Sequence, residues 1–323
     1  MRTLPVRRSA VDPPGTGEIA GAGLRWLVMM SLLCVLWRLM MRVILVPVAD
    51  RPECVHALKV AFGLATRFDA DLIGTHIRPH QRSEVRMPPA LGGESADWMQ
   101  ITKGWNAAQL SRNAKTLFAN IMAGRAGYPV AKRPAAHPVA IWSEQVGSPG
   151  HIIPIIGPLS DLLVLSRPAR KGGRLASLFL TEALLNSCRP VLVVPQKVSA
   201  VPGNRILIAW NQSPEASRAV AAAMPVLEAA GQVVIAAPRH EAAAGPKSGQ
   251  LRRYLRHHRV SAELLRIPGR KPETELIDAY GDSGSDLLLM GAYSRSRFRQ
   301  QVFGGVTDYM LHHARIPVLM LHS

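Results

Sequence analysis

Short apolar runs alternate with longer amphipathic stretches along most of this chain. Between residues 42 and 322 the pattern predicts strands at 43–48, 71–77, 139–142, 161–165 and 190–195, and again at 205–210, 232–237, 262–267, 287–290 and 317–321. These runs are rich in Val, Ile and Leu, as strands covered on both faces are. Between them, apolar residues recur at helical spacing: Val55, Leu58, Ala61, Phe62 and Ala65 mark a helix over 51–68. Further helices are expected over 98–123, 150–156, 175–186, 213–229, 251–258 and 274–280, with a last one ending near His313. Residues 79–100, broken by Pro, Gly and charge, read as a long loop. Strands alternating with helices predict parallel sheets with helices on both faces.

The order runs twice, and it does so in words as well as in pattern. ILVPVADRPECVHAL from Ile44 parallels ILIAWNQSPEASRAV from Ile206, and DLLVLSRPARKGG from Asp161 parallels DLLLMGAYSRSRF from Asp286. The first copy is longer in its middle, where the loop and the long helix fall. The chain therefore divides into an extension over 1–40, a first α/β domain over 41–196, a linker over 197–204 and a second α/β domain over 205–323.

The extension does not share the pattern. Its apolar run from Trp26 to Trp37, bounded by Arg25 and Arg38, is well short of the roughly 20 residues needed to span a bilayer. Translation starting at Met40 or Met41 accounts for it most simply, since Met41-Arg42-Val43-Ile44 is how such a domain begins; a membrane-contacting segment is the alternative. Formal net charge is +17 over 323 residues, yet the Arg is scattered and no recognition helix or RNA-binding aromatic signature appears, so no specific nucleic-acid partner is expected. Cys34, Cys54 and Cys188 share no metal-ligand spacing and read as reduced thiols of a cytoplasmic protein. Leu251, Tyr254 and Leu255 have the spacing of an ordinary surface helix, and the adjacent His257 and His258 point to different faces, which is not a metal site.

Candidate chemistry concentrates in DLLLMGAYSRSRFRQQVFGGVTDYMLHHARIPVLML, residues 286–321. A strand stopped by Gly291, a polar loop, Gly304-Gly305 and then a helix is the order in which α/β proteins present backbone N–H groups to a phosphate. Arg295, Arg297 and Arg299 either neutralise phosphates or are simply solvated. A tight strand-to-helix turn that binds nothing would show the same glycines. No Ser-His-Asp or Cys-His set, P-loop lysine motif or paired carboxylates can be assembled from spacing, so no enzyme is expected.

On these residues each half resembles the universal stress protein family, and the tandem arrangement is similar to two-domain bacterial members. The resemblance implies two flavodoxin-like domains of the adenine-nucleotide-alpha-hydrolase type, each a five-stranded parallel sheet with nucleotide at the carboxyl ends of the strands. Many members bind ATP through a G-x2-G-x9-G-S/T motif, with Mg compatible with the bound ATP, and others lack the motif and do not bind it. Carried across, Gly291 and Gly304 match the first and third glycines, Ser294 stands at the second, and Gly305 stands at the Ser/Thr position. Met290 and Val306 match pocket-lining positions, Asn211 the adenine-contacting acidic residue, and Ala237 the residue packing on the base. In the first repeat Ser166-Arg167-Pro168 replaces the glycine region and Ala49 the acidic residue, so that repeat is expected not to bind. The function implied is a stress-response regulator that binds an adenine nucleotide in its second repeat, with at most slow, incidental ATP hydrolysis. The alternative is a nucleotide-free scaffold. Its repeats would form an intramolecular pseudo-dimer through their last strands, 191–194 and 318–321, and a homodimer is also compatible.

Overall fold

The computed structural model describes residues 41–79, 94–124, 128–168, 173–197, 200–292 and 305–322. The expectations for the extension, including Cys34 and the run from Trp26 to Trp37, lie outside the described residues. No helix among the described residues is long and apolar enough to cross a membrane.

The first repeat runs β1 (Val43–Pro47), α1 (Pro52–Phe68), β2 (Asp71–Arg78), α2 (Glu94–Ile101), α3 (Ala107–Ala123), β3 (Val130–Ala131), β4 (Ala140–Val146), α4 (Pro149–Ile156), β5 (Leu162–Ser166), α5 (Arg174–Asn186) and β6 (Val191–Val194). The second runs β7 (Arg205–Ala209), α6 (Pro214–Ala222), α7 (Met224–Glu228), β8 (Gln232–Pro238), α8 (Ser248–His257), β9 (Ala262–Ile267), α9 (Pro272–Asp282), β10 (Leu287–Gly291), α10 (Gly305–His312) and β11 (Val318–Leu321). Two expected helices are broken. The helix expected over 98–123 stops at Ile101 and restarts at Ala107. Between them Gly104 adopts φ +80°, and Asn106 accepts a hydrogen bond from the Gln109 N–H as a new cap. Part of the expected 79–100 loop is α2. The helix expected over 213–229 breaks at Ala223, because Pro225 lacks an N–H and its ring clashes with the carbonyl four residues back.

Instead of two separate five-stranded sheets there is one eleven-stranded sheet, ordered β3-β4-β2-β1-β5-β6-β11-β10-β7-β8-β9. Every pairing within a repeat is parallel, and the first repeat gains a sixth, two-residue strand. The junction is antiparallel: Val318 faces Val193, Leu319 faces Leu192 and Met320 faces Val191. All four residues of β6 and of β11 are buried. Alternation along these strands sends Leu192, Val194, Leu319 and Leu321 to one face and Val191, Val193, Val318 and Met320 to the other. Helices α1, α3, α6, α7 and α8 cover the first face, and α5, α9 and α10 the second. Both cores therefore continue across the junction.

The repeated word DLL has a physical reason. Asp161 accepts hydrogen bonds from the Arg42 and Val43 N–H groups at 2.7 and 2.9 Å. Asp286 accepts from the N–H groups of Gly203, Asn204 and Arg205 at 2.8, 3.0 and 3.1 Å. Each carboxylate thus pins the start of its own repeat's first strand. Arg67 of α1 reaches the Gly203 and Ala229 carbonyls and ties the linker to both repeats.

Replacing Asp286 by Ala removes an ionised acceptor from three backbone donors and should cost about 2 kcal/mol. Urea unfolding would read this as a lower midpoint at unchanged slope. A loss below about 0.5 kcal/mol, the ordinary range for a neutral surface change, would show the contact to be incidental.

Candidate functional site

At the carboxyl ends of β7, β8, β9 and β10 lies a cavity of about 540 Å3, within the size range of ligand clefts. Asn211, Met290, Gly291, Gly305 and Val306 are brought together in its lining. Ser294 and Gly304 lie outside the described residues, as do Arg295, Arg297 and Arg299. Ala237 does not line the cavity: it is fully buried in the core on the other face of β8, while its neighbours Ala236 and Pro238 line the cavity. Strand alternation makes this an offset of one residue.

Gly291 has a packing reason to be glycine. A Cβ there would stand 2.5 Å from the Ala216 backbone nitrogen and 2.6 Å from the Glu215 carbonyl carbon, so the first turn of α6 rests on it. Gly305 differs: among the described residues nothing lies within 4 Å of where its Cβ would be, and it opens α10. Thr307, buried in the first turn of α10 two residues after Gly305, also lines the cavity. Asn211 is exposed, and its side-chain oxygen accepts from the Ser213 N–H at 3.1 Å, which shapes the turn leading into α6.

The outer wall, with His240, Ala242 and Ala243, was not legible in the pattern of apolar residues. Side chains distant in sequence hold it. Gln212, buried and in left-handed conformation at φ 66°, donates to the Ala243 and Gly245 carbonyls at 3.0 and 3.1 Å. Trp210 Nε1 donates to the Pro246 carbonyl at 2.9 Å. Lys247 Nζ donates to the carbonyls of Glu241 and Ala243 at 2.5 and 2.9 Å. Gly245 admits no side chain, since a Cβ would overlap the Gln212 carbonyl oxygen. Burial pushes the Glu241 carboxyl up, but hydrogen bonds from Ser248 and Arg266 outweigh it and hold it below the usual value. Gly269, Pro272 and Glu273 close the third side, where the Gly269, Arg270 and Lys271 N–H groups all donate to the Glu275 carboxylate. The one cue available in sequence was general: parallel strands carry their sites on the loops at their carboxyl ends.

At the corresponding β1–β5 position of the first repeat the space is only about 40 Å3, roughly the share of a single water, and Cys54, Leu165, Leu175 and Phe179 line it. Ser166 stands where the second repeat has Gly291, and Arg167, one residue further on, is buried and turned elsewhere. It donates to the carbonyls of Met310, near the end of α10, and Ile316, the latter at 2.9 Å. Burial pulls its guanidinium down to about 10, which still leaves it charged at neutral pH. Arg167 thus fastens the two repeats to each other.

Among the described residues no group of three His, Cys, Asp or Glu gathers as metal ligands. Burial raises the Cys54 thiol to about 11, whereas Cys188 is exposed.

Residues 203–322 match the universal stress protein family. Over 142 residues, 41% of this chain, the sequence is 30% identical to universal stress protein Slr1230 of Synechocystis sp. (strain ATCC 27184 / PCC 6803 / Kazusa). The match spans 46% of that protein, so the chain covers less than half of its length. Among solved structures, a universal stress protein from Archaeoglobus fulgidus DSM 4304 aligns over 87% of this chain and 98% of its own. Its TM-score is 0.57 at 14% identity, a likeness of fold that runs across both repeats.

Two outcomes follow from the packing. Gly291→Ala should cost about 1–3 kcal/mol through overpacking against α6, whereas Gly305→Ser should change stability by no more than about 0.5 kcal/mol; thermal melts without ligand compare them. Thiol labelling of the native chain, mapped by peptide mass, should modify Cys188 and spare Cys54 until the protein unfolds. Rapid native labelling of Cys54 would contradict its burial.

Proposed function

We propose that this chain, which belongs to the universal stress protein family, binds an adenine nucleotide such as ATP in its second repeat and acts as a regulator through the bound state. The observation carrying the reading is the cavity of about 540 Å3 that gathers Asn211, Met290, Gly291, Gly305 and Val306 at the carboxyl ends of parallel strands. Met290 and Val306 supply apolar surface for a base, joined by Ala236 in the role expected of Ala237. Asn211 offers an amide to the base edge. The N-terminus of α10, with Gly305 and, in this proposal, Gly304 and Ser294, takes the phosphates on backbone N–H groups. Mg would come with the nucleotide, held mainly by its phosphates and water. The chain's own residues bind, orient and enclose; none of them is assigned a bond-breaking role.

Gly305→Asp provides the test, because no described residue stands within 4 Å of where its side chain would begin and a carboxylate there would face the phosphates. Nucleotide retained through purification should appear by mass spectrometry of the denatured supernatant, near one equivalent per chain. Titration should show Gly305→Asp weakening ATP by at least about tenfold, or 1.4 kcal/mol, and Gly305→Ser holding or improving it. ATP binding that is indifferent to Gly305→Asp removes this site. A chain that neither carries nor takes up nucleotide would favour the scaffold reading, which draws on the pairing of β6 with β11.

A further inference from the structure

Helix α8 and the turn after it carry a surface that the fold itself does not use. Between Ser248 and Ser261 the chain has four Arg and two His, and no Asp, Glu or Lys. Arg252, Arg253, Arg256 and Arg259 are all exposed, and none makes an ion pair or a side-chain hydrogen bond among the described residues. We propose that this surface binds single-stranded nucleic acid without sequence preference, with its guanidinium groups on phosphates and Tyr254 against a base. The site is independent of the nucleotide reading above. Being indifferent to sequence, it needs none of the recognition signatures that the chain lacks.

The fold requires little of α8. Leu251 and Leu255 are buried, whereas Tyr254, expected beside them on the apolar stripe, is 41% exposed. At 3.6 residues per turn, two leucines facing the core leave Arg253 and His257 projecting outward, Arg252 and Arg256 on one flank and Tyr254 on the other. Like charges three and four residues apart, as in Arg253–Arg256 and Arg252–Arg256, weaken a helix. Arg256 and His257 in the last turn suit the helix dipole, but Arg252 and Arg253 sit in the middle. Acidic neighbours do not offset them. Glu241 is taken up by the Ser248 N–H and by Arg266, and Glu228 lies 3.7 Å from His258. Ala262 and Leu264 of β9 pack into the core that α8 covers, so strand alternation turns Glu263 to the other face. The corresponding helix of the first repeat, α3, carries only Arg112 and Lys115 as cations over a longer span.

The chemistry of the surface selects the ligand. Apart from the two His its cations are all Arg, whose planar fork sets two N–H groups on one phosphate and whose flat face stacks on a ring. Lys would serve a purely Coulombic attraction as well. Among the described residues Tyr254 is the aromatic member of the exposed large apolar side chains, and it lies on this same helix. Its ring is held by edge contact with His258, with centroids 4.8 Å apart and planes inclined by 61°. Cations for a phosphate backbone together with an aromatic ring for the bases is the combination that single strands require. A duplex keeps its base faces stacked inside. A bilayer asks a helix for an apolar face, and that face of α8, Leu251 and Leu255, is spent on the protein core.

The test is fluorescence anisotropy of the full chain with a labelled oligouridylate of about 15 nucleotides, titrated at several KCl concentrations. The logarithm of the association constant should fall with that of the salt concentration, by roughly 0.7 per phosphate engaged. Replacing Arg252, Arg253, Arg256 and Arg259 together by Ala should weaken binding at least about tenfold and flatten the slope by roughly 2–3. Replacing the same four by Lys should keep most of the slope yet weaken binding at least about threefold. Tyr254→Leu should weaken it at least about fivefold at unchanged slope. A thermal melt checks that each variant folds. None of these residues lines the second-repeat cavity, so the outcome does not depend on ATP binding there. Oligouridylate that ignores the Ala replacements overturns the proposal, as does a duplex of the same length bound equally well. Phosphatidylserine vesicles that displace the oligonucleotide at equal phosphate concentration overturn it too.

Discussion

The antiparallel pairing of β6 with β11 is the interaction on which the rest of this molecule depends. Each repeat ends in a four-residue strand buried on both faces. Left unpaired, such a strand would expose apolar side chains together with a row of N–H and C=O groups. Pairing the two covers both edges at once and merges two parallel sheets into one. It also sends both helical layers across the junction, so a residue such as Leu192 shares a core with Leu319 and Ile206. The direction of pairing has a further consequence. Because the junction is antiparallel, the carboxyl ends of the two sets of parallel strands point opposite ways, and the cavity of the second repeat and the small space of the first lie at opposite ends of the sheet.

The two repeats have put corresponding strand ends to different uses. Gly291 ends β10 and Ser166 ends the corresponding β5, with Arg167 one residue beyond it. Gly291 lets the first turn of α6 settle against the sheet, beside a cavity that stays open. Arg167 instead leaves its own repeat to hold the carbonyls of Met310 and Ile316 in the other. A cation suits the end of α10, where unpaired carbonyls carry partial negative charge. In the first repeat, Leu175 and Phe179 line the small space beside Ser166.

The comparison also bears on glycine motifs in general. A Gly-rich strand-to-helix turn reads as a phosphate cradle, yet the close approach at Gly291 is between two parts of the chain itself. At Gly305, by contrast, no described residue lies within 4 Å of where a Cβ would be, so its substitution reports on ligand rather than on fold.

What the sequence determined by itself was everything set by local periodicity and repetition. The apolar runs marked ten of the eleven strands and the helices between them, and the paired words from Ile44 and Ile206 marked the duplication. Asp161 and Asp286 were visible as repeated letters, though their role as acceptors for strand-starting N–H groups was not. Cavity-lining residues adjacent to strand ends, such as Met290 and Asn211, could be named because strand alternation and the family resemblance fix their place. The tertiary structure alone decided what depends on contacts between distant segments. It merged two sheets into one, placed Ala236 rather than Ala237 at the cavity, and used Gln212 and Trp210 to fold the 239–247 loop into a wall. It also brought His76 of β2 and Trp105, just before α3, into the lining of a separate cavity of about 380 Å3. Periodicity reports which face of an element is apolar, but not which other element will cover it, and a binding site is made of such coverings.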